Sequence, residues 1–464
     1  MPTKEYRIVS SVYKSDAEKA KEKLSTISPS MCLAKWNQVS LHLPTGLTNS
    51  CYHPPLHEID KDSLASNPAA LHNTEEKINQ RKQMIAGERP AGCSYCWKME
   101  DTGEMSDRHY RSGEPWAMQD FDKIKSNPFD TQHTPRYVEV NFNNACNFAC
   151  SYCSPQFSTA WGKEINTYGA YPTSPIHNDP EHFRGRRKPI ANREDNPYVT
   201  AFWKWWPELY KGLKHFRMTG GEPMMDVNTY KVFDYIIDNP KKDLHLNVTS
   251  NMCPPDVKLK TKYFNAVSRI CHEEKVEHFM QFVSVDTWGK QAEYIRNGLD
   301  YNKMMDNVDH FLSMIPVRNS VTFIITYNNL SVTGIRNLFE DIQKLRQKHS
   351  TTYQRIWFDV PVLRQPEWQQ ITLLPESYQQ IHKDNIEWMK ENSGQDQTDF
   401  SLFKDFEIQK MQRNLTYWQN NYSNDKKQKK NFYNFFKEHD RRRRTNFGNV
   451  FPEMIEFWEE CRNS

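Results

Sequence analysis

The chain has 464 residues, 37% of them hydrophobic and 13% aromatic, which is enough for two or three packed units. Its 61 basic and 58 acidic residues give a net charge of +3, which indicates no particular class of charged partner. No apolar run approaches the length of a membrane span and the N-terminus lacks a signal-peptide core, so we expect a cytoplasmic protein with no membrane partner.

The chain contains ten cysteines. Without a secretory signal, we expect these thiols to stay reduced and to serve as metal ligands instead of forming disulfides. Three of them stand apart from the others and are expected to be ordinary buried thiols, namely Cys253, Cys271 and Cys461.

The first cysteines of the chain lie within residues 30–100. Thirteen residues separate Cys32 from Gly46, four more separate Gly46 from Cys51, and Cys93 and Cys96 then form a close pair. Four thiolates can close an iron–sulfur cluster completely. Four thiolates are also the ligands of many structural zinc sites, so the residues alone leave both metals open.

A second group of cysteines follows a predicted strand over residues 137–141, in the stretch Asn-Asn-Ala-Cys-Asn-Phe-Ala-Cys-Ser-Tyr-Cys. Three thiolates on one short loop can ligate three irons of a cubane cluster and leave the fourth iron open to a chelating ligand. A zinc site would need a fourth ligand, and the segment supplies only three thiols. The pattern therefore favours iron–sulfur over zinc at Cys146, Cys150 and Cys153.

From residue 136 onward, predicted strands alternate with helices. Further strands are predicted over residues 215–219, 245–249, 279–285, 321–326 and 355–360, with helices over residues 226–238 and 256–275. Such alternation is typical of right-handed βαβ units and of an α/β fold with a parallel sheet. Ligands of such folds gather at the carboxyl ends of the strands, where the three-cysteine stretch and several other motifs fall.

The motif Gly220-Gly221-Glu222-Pro223 follows the second predicted strand. Its glycines permit a sharp turn and a close approach to a ligand. An exposed carbonyl there, with the Glu222 carboxylate nearby, can accept hydrogen bonds from an ammonium group. Polar residues also follow later strands, namely Ser250, Asn251, Ser284, Asp286 and Asn328.

The cysteine spacing, with Tyr152 before the last cysteine, resembles the signature of the radical S-adenosylmethionine (SAM) family, and residues 220–223 resemble its GGEP motif. The resemblance implies a partial (β/α)6 TIM-like barrel and a [4Fe-4S] cluster whose open iron binds SAM. It also implies reductive cleavage of SAM to a 5′-deoxyadenosyl radical that abstracts hydrogen from a substrate. The three cysteines would then be both metal ligands and catalytic residues.

The resemblance also implies contacts to SAM. Glu222 would receive the methionine amino group, and Arg296 would pair with the methionine carboxylate, although a surface helix charge is the alternative for Arg296. Ser284 and Asp286 would contact the ribose, and Tyr152 would support the adenine through its backbone and packing. The predicted cofactor-binding residues are Tyr152, Gly220, Gly221, Glu222, Pro223, Ser284, Asp286, Arg296 and Asn328.

The N-terminal cysteines resemble the first half of the motif of SPASM and Twitch domains, which bind auxiliary iron–sulfur clusters. Four ligands, Cys32, Cys51, Cys93 and Cys96, fit the short Twitch form and a second [4Fe-4S] cluster. In the family this domain ordinarily follows the barrel, whereas here it precedes it. We therefore predict an auxiliary domain over residues 1–130, a barrel over residues 131–370 and a helical C-terminal cap over residues 371–464.

The expected function is that of a radical SAM enzyme acting on a peptide or protein, with a flavodoxin or ferredoxin as electron donor. A basic run at residues 184–188 lies in a proline-rich stretch that we expect to form a surface loop. An RNA-modifying enzyme is the first alternative, because of the later basic runs at residues 426–430 and 441–444. Runs of this kind are more often solvated faces beside acidic neighbours, so nucleic acid is not favoured. The second alternative is a non-catalytic, zinc-stabilised binding protein.

Overall fold

A computed structural model describes residues 14–183, 188–192, 194–394 and 399–464. Four residues of the first basic run, 184–187, lie outside the described residues. The fold is mixed α/β with parallel strand pairs and many helices, which confirms the predicted fold class. The predicted barrel and the three-part domain division stay predictions.

The chain forms two compact units. The first unit contains Met1–Asn143, Pro189–Gly220 and Lys241–Asn247. The second unit contains Asn144–Lys188, Gly221–Pro240 and Val248–Ser464.

The strands of the described residues are β1 (Gln38–His42), β2 (Leu47–Asn49), β3 (His57–Glu58), β4 (Tyr137–Asn141), β5 (Ala149–Cys150), β6 (His215–Thr219), β7 (Lys241–Ser250), β8 (Val276–Ser284), β9 (Arg296–Asn297), β10 (Ser320–Ile324) and β11 (Ile356–Asp359). Six of them, β4, β6, β7, β8, β10 and β11, confirm predicted strands to within a few residues.

The α-helices of the described residues are α1 (Lys14–Ser25), α2 (Ala34–Asn37), α3 (Glu75–Ile85), α4 (Ser94–Asp101), α5 (Asp107–Gly113), α6 (Pro115–Met118), α7 (Phe121–Ser126), α8 (Thr159–Tyr168), α9 (Pro197–Gly212), α10 (Val227–Asp238), α11 (Val257–His272), α12 (Gly289–Ile295), α13 (Tyr301–Met314), α14 (Ile335–His349), α15 (Glu376–Glu391), α16 (Asp405–Asn420), α17 (Lys426–Arg443), α18 (Phe447–Val450) and α19 (Ile455–Asn463). Helices α10 and α11 confirm predicted helices, and α15 to α19 confirm the helical C-terminal region. Both α10 and α11 begin where predicted because the side chains of Asp226 and Asp256 cap their first turns.

The sheet of the first unit has the strand order β7-β6-β4-β1-β2-β3. Strands β1, β4 and β6 run parallel, while β2 and β3 add on in antiparallel fashion. Strand β1 comes from the N-terminal cysteine region and pairs with β4 along its whole length, from Gln38 opposite Tyr137 to His42 opposite Asn141. The N-terminal region thus contributes a strand to the same sheet as β4.

Polar and apolar residues alternate along these strands, so the sheet has one apolar face and one more polar face. Val138 and Val140 of β4 are fully buried, and in the parallel register they share a face with Val39 and Leu41 of β1. The apolar core of this unit continues into a cluster that includes three of the predicted metal ligands together with large aromatic rings, namely Cys32, Cys93, Cys96, Trp36, Trp97, Trp116 and Tyr137.

In the second unit, β10 lies between β8 and β11 and runs parallel to both. The short strands β5 and β9 form a separate antiparallel pair, in which Cys150 lies opposite Arg296. This pair brings a predicted metal ligand and a predicted SAM contact together. No helix within the described residues combines the length and the apolar character needed to cross a membrane.

A buried ion pair joins two helices of the second unit and gives a test of the fold. Arg346 of α14 and Glu407 of α16 are both fully buried, with 2.5 Å between Nη2 and Oε1. Replacing Glu407 by Ala leaves the Arg346 charge buried without its carboxylate, so we expect a loss of about 3–5 kcal/mol in the free energy of unfolding, measured by urea denaturation.

Lys344 of α14 is exposed and pairs with the half-buried Asp341, and it provides the control. Replacing Lys344 by Ala should lower the free energy of unfolding by at most about 1 kcal/mol. Equal losses in the two variants would contradict the buried pairing.

Candidate functional site

The loop that carries Cys146, Cys150 and Cys153 belongs to the second unit and is closed by hydrogen bonds at both ends. The Asn144 side chain donates to the Pro155 carbonyl at 2.9 Å, and the Thr159 backbone N–H donates to the Asn144 carbonyl at 3.0 Å. We call residues 144–159 the three-cysteine loop. Its backbone is therefore fixed without any help from a metal.

Neighbouring elements hold the individual cysteines. The Trp161 indole donates to the Cys150 carbonyl at 2.8 Å, and the Asn178 amide donates to the Cys153 carbonyl at 3.1 Å. The Phe148 backbone N–H approaches the Cys146 sulfur at 3.4 Å. An N–H aimed at sulfur stabilises the thiolate, which is the form that ligates iron.

Burial determines the protonation of these thiols. Desolvation raises the pKa of Cys153 to about 12, and it also raises the pKa of Cys146 and Cys150. Repulsion between thiolates adds to this effect, since Cys150 and Cys153 raise the pKa of Cys146 and Cys150 raises that of Cys153. Metal binding to such thiols must displace their protons.

Three predicted SAM contacts meet beside Cys150. The Asp286 carboxylate is fully buried and accepts hydrogen bonds from the Tyr152 hydroxyl at 2.9 Å and from Arg296 Nη2 at 2.9 Å. The Thr326 backbone N–H also donates to Asp286, at 3.2 Å. Sequence reasoning expected separate contacts to ribose, adenine and carboxylate from these side chains, whereas the structure joins them to one another.

Arg296 retains hydrogen-bonding capacity that the protein does not use. Its Nη1 lies 3.8 Å from the Cys150 sulfur, and its buried Nε has no hydrogen-bond partner. Burial opposes the Arg296 charge, but the acidic groups of Asp286, Tyr152 and Cys150 together outweigh that effect and hold the pKa of Arg296 well above its usual value. A permanent cation with a free donor beside three thiols suits an anionic cluster or a ligand carboxylate.

Two glycines of the predicted cofactor site form the turn after β6. Gly220, in the first unit, has a φ of +114°, and a Cβ there would lie 2.0 Å from the Asn141 side-chain oxygen. Gly221, in the second unit, packs so closely that a Cβ would lie 2.3 Å from the Ala145 carbonyl oxygen. Both positions therefore require glycine.

Glu222 is 1% exposed and anchors the same turn. Its carboxylate accepts hydrogen bonds from the Ser250 hydroxyl at 2.7 Å, from the Asn251 backbone N–H at 2.8 Å and from the Met224 backbone N–H at 3.0 Å. The Glu222 backbone N–H donates to the Ala145 carbonyl, so a hydrogen bond joins the turn to the three-cysteine loop. A carboxylate has about four acceptor positions, which leaves about one for a ligand.

The remaining predicted contacts are at the ends of strands or in turns. Pro223 is buried and opens a short 3-10 turn, Pro223–Met225. Ser284 ends β8 and is half-buried. Asn328 is fully buried and uses its side chain within its own turn, donating to the Thr326 carbonyl and accepting from the Leu330 N–H.

The four N-terminal cysteines gather around one cavity of the first unit. This four-cysteine cavity is lined by Cys32, Cys51, Cys93, Cys96, Ala34, Lys35, Ser50, Tyr52, His53, Pro54, Met84, Asp107, Arg108 and Arg111. Burial raises the pKa of Cys51 to about 11 and that of Cys96 to about 12. The cavity thus joins cysteines that are as much as 64 positions apart, from Cys32 to Cys96.

Basic side chains also line the cavity, and each of two of them pairs with a carboxylate. Arg108 is paired with Glu100 at 2.7 Å, and His53 is paired with Asp107 at 2.6 Å. Arg111 has a buried Nη1 without a hydrogen-bond partner. An unsatisfied buried donor of a cation, facing a cavity lined by thiols, suits an anionic occupant.

Among the described residues, no three His, Cys, Asp or Glu side chains are grouped as the ligands of a single metal ion would be. The assignment of a metal to either cysteine set therefore rests on the spacing of the thiols and on the polar groups around them.

The C-terminal basic runs form internal ion pairs. The buried Arg442 pairs with Glu438, the half-buried Arg443 pairs with Glu164, and the exposed Arg441 also pairs with Glu438. In the other run, Lys429 pairs with Glu460. These cations serve helix packing, and the sequence alone could not distinguish that role from a nucleic-acid surface.

No protein-family profile and no curated protein matches the chain. Solved structures of Streptococcus suis SuiB overlap with it at a TM-score of 0.36. The SAM-bound form is 11% identical over 68% of this chain and 63% of that chain. A further SuiB structure is 12% identical over 80% and 70%, and the form bound to precursor peptide SuiA is 11% identical over 73% and 65%.

The chain therefore spans less than two thirds of the length of the SAM-bound and peptide-bound SuiB chains. A likeness at this TM-score and identity supports no conclusion about the fold or the function of this chain.

The buried contacts of Asp286 can be tested in the metal-free protein. Replacing Asp286 by Asn leaves the Arg296 charge buried without its carboxylate, so we expect a loss of about 3–5 kcal/mol in the free energy of unfolding. Replacing Tyr152 by Phe removes the hydroxyl that donates to the same carboxylate, and it should lower the free energy of unfolding by about 1 kcal/mol. Chemical denaturation measures both, and equal losses would show that Arg296 does not depend on Asp286.

Proposed function

We propose that the protein is a radical SAM enzyme that acts on a peptide or protein. The observation that supports this most is the environment of Cys146, Cys150 and Cys153. Their loop is closed by its own hydrogen bonds, lies beside the buried Arg296 and is tied through Ala145 to the Glu222 turn. Two motifs that the sequence resemblance treats separately thus contact each other directly.

Cys146, Cys150 and Cys153 would hold a [4Fe-4S] cluster, since three thiolates leave one iron without a protein ligand. When bound, the cluster supplies the electron that cleaves SAM to a 5′-deoxyadenosyl radical, which abstracts hydrogen from the substrate. The unpartnered Nε of Arg296 and the remaining acceptor position of Glu222 are the groups of this chain that fit the carboxylate and the amino group of SAM.

The chain's own residues then orient the site. Asp286 keeps Arg296 charged and fixes its guanidinium beside Cys150, and it holds the Tyr152 hydroxyl at the same time. Gly220 and Gly221 allow the turn to lie against neighbouring backbone and side-chain atoms. These contacts prearrange the polar groups and reduce the reorganisation needed when SAM binds.

The four-cysteine cavity would hold a second [4Fe-4S] cluster with no iron left open. The unpartnered Nη1 of Arg111 supports an anionic occupant, and a zinc–thiolate centre is the competing one. A peptide or protein substrate and a flavodoxin or ferredoxin donor follow from the sequence resemblance. The internal pairing of Arg441 to Arg443 gives the RNA-modifying alternative no support.

Removal of Cys150 tests the catalytic assignment. Replacing Cys150 by Ala should abolish formation of 5′-deoxyadenosine from SAM and dithionite, because the cluster loses one of its three ligands. Chromatography of the anaerobic reaction products measures the yield. Cys461, buried in α19, provides the control, and its replacement by Ala should leave the yield unchanged. Unchanged turnover in the Cys150 variant would remove the assignment.

Removal of Cys93 tests the division into two metal sites. The anaerobically reconstituted chain should carry about eight irons, and the variant with Cys93 replaced by Ala about four. The EPR change on adding SAM should remain in that variant. Loss of SAM binding would contradict two separate sites, and zinc without iron in the parent chain would favour a zinc-stabilised binding protein.

A further inference from the structure

Strands β5 and β9 place Cys150 opposite Arg296, yet the pair is very short. Each strand has only two residues. One further backbone hydrogen bond continues the pairing, from the Ser151 N–H to the Ile295 carbonyl at 2.8 Å. A two-stranded ribbon is marginally stable at best on its own, so other elements must hold these strands together.

The strand that carries Cys150 is held by helix α8. The fully buried Trp161 donates its indole N–H to the Cys150 carbonyl at 2.8 Å. Glu164 lies one turn further along α8 and pairs with Arg443 of α17, with 2.9 Å between Oε2 and Nη2. The Arg443 guanidinium also lies 5.2 Å from the centre of the Trp161 ring, within the range of a cation–π contact. Arg443 thus contacts the ring that holds Cys150.

The end of α8 is fixed by the neighbouring Arg442. Its guanidinium donates to the Gly169 and Ala170 carbonyls at 3.0 and 2.9 Å, directly after α8 ends at Tyr168. Carbonyls at the C-terminal end of a helix lack partners within that helix, and arginine side chains are suitable donors. Two consecutive arginines of α17 therefore contact the middle and the end of α8.

The strand that carries Arg296 follows helix α12 directly, and α12 is held by the same end of α17. The Tyr294 hydroxyl donates to the Asp440 carboxylate at 2.9 Å, and Tyr294 is buried. The Tyr294 ring also packs against His439, with 4.4 Å between the ring centroids. Because Tyr294 lies only two residues before Arg296, its contacts restrict the position of β9.

One turn of α17 thus contacts the helices that support both strands. Asp440 and Arg443 are three residues apart and therefore neighbours on the helix surface. The Asp440 carboxylate is itself held by the Thr445 hydroxyl at 2.7 Å and by the Phe447 backbone N–H at 2.8 Å. We call Asp440, Arg442 and Arg443 the α17 clamp.

We infer that the α17 clamp holds Arg296 in place beside Cys150, and that Asp440 and Arg443 are positioning residues for SAM. The inference rests on the proposed function, in which Arg296 receives the carboxylate of SAM and Cys150 ligates the cluster. Asp440 and Arg443 act through the supporting helices, so neither has to touch SAM. The helical C-terminal region thereby acquires a role in the site.

Two sets of contacts then define the position of Arg296. Asp286 holds its guanidinium. The α17 clamp holds the backbone on both sides, through Tyr294 before β9 and through Trp161 beside β5. Binding that depends on Arg296 is sensitive to both sets, since a misplacement of about 1 Å in a positioning group can cost about a hundredfold in rate.

The affinity for SAM tests the inference. The Tyr294→Phe variant keeps the ring and loses the hydroxyl that donates to Asp440, and the Arg443→Gln variant loses the ion pair with Glu164. We expect each variant to bind SAM roughly fivefold more weakly, which corresponds to the net contribution of one hydrogen bond. The iron content after anaerobic reconstitution should equal that of the parent chain. EPR-monitored titration of the reduced protein with SAM measures the affinity.

Two further variants provide the controls. Arg443→Lys keeps a cation opposite Glu164 and should restore most of the affinity that Arg443→Gln loses. Arg441 belongs to the same basic run, but it is exposed and pairs with Glu438 outside the α17 clamp. Arg441→Gln should therefore bind SAM as tightly as the parent chain.

Hydrogen–deuterium exchange of the metal-free protein gives a readout that needs no SAM. The Ser151 N–H bonds to Ile295 only while β5 and β9 are paired. In Tyr294→Phe and Arg443→Gln we expect peptides that contain Ser151 to exchange roughly fivefold faster, because local opening becomes easier. Peptides of β10 should exchange at the parent rate in every variant.

Parent-level SAM affinity in both Tyr294→Phe and Arg443→Gln would overturn the inference, whatever the exchange rates. Loss of iron together with SAM binding would also overturn it, because the α17 clamp would then hold the cysteines and not Arg296. If the Arg443→Gln chain does not fold, the milder Tyr294→Phe variant decides. Failure of the proposed radical SAM function is distinguishable, because the parent chain itself would then form no 5′-deoxyadenosine, whereas failure of this inference leaves parent turnover intact.

Discussion

The cost of burying charge explains both candidate sites better than any other single constraint. A buried ion is tolerated only where an opposite charge or several strong hydrogen bonds replace water. In the second unit this condition is met by protein side chains alone, since Asp286 neutralises Arg296 and Glu407 neutralises Arg346. At the four-cysteine cavity Glu100 pairs with Arg108, whereas the buried Nη1 of Arg111 has no hydrogen-bond partner.

Much of the α/β framework could be predicted from the sequence. The strands over residues 137–141 and 215–219 are short, β-branched or apolar at alternate positions and bounded by turn residues, so their signal is local. Strand β1 was not predicted, although polar and apolar residues also alternate along Gln38–His42. The interaction that defines it is parallel pairing with β4, which lies far away in the sequence. Pairing between segments so far apart is not contained in a local pattern.

The sequence suggests which residues form the candidate site, but it does not show how they contact one another. Cysteine spacing makes Cys146, Cys150 and Cys153 the predicted metal ligands, and that assignment stays a prediction. The partners of Tyr152 and Arg296 could not be predicted in this way, because Asp286 binds both only after β5 and β9 have paired. The burial of Lys77 and Arg81 on α3 could not be predicted either, because lysine and arginine on a helix are ordinarily exposed to solvent.

The parallel pairing of β1 with β4 has a practical consequence for any shortened form of the chain. Cutting the polypeptide just ahead of β4 would strip away β1 and expose a row of backbone amides and carbonyls along a hydrophobic strand. Such an unpaired strand edge can form backbone hydrogen bonds with other copies of the shortened chain. Shortened chains that begin near residue 131 would therefore be expected to aggregate, even though they retain every cysteine of the three-cysteine loop.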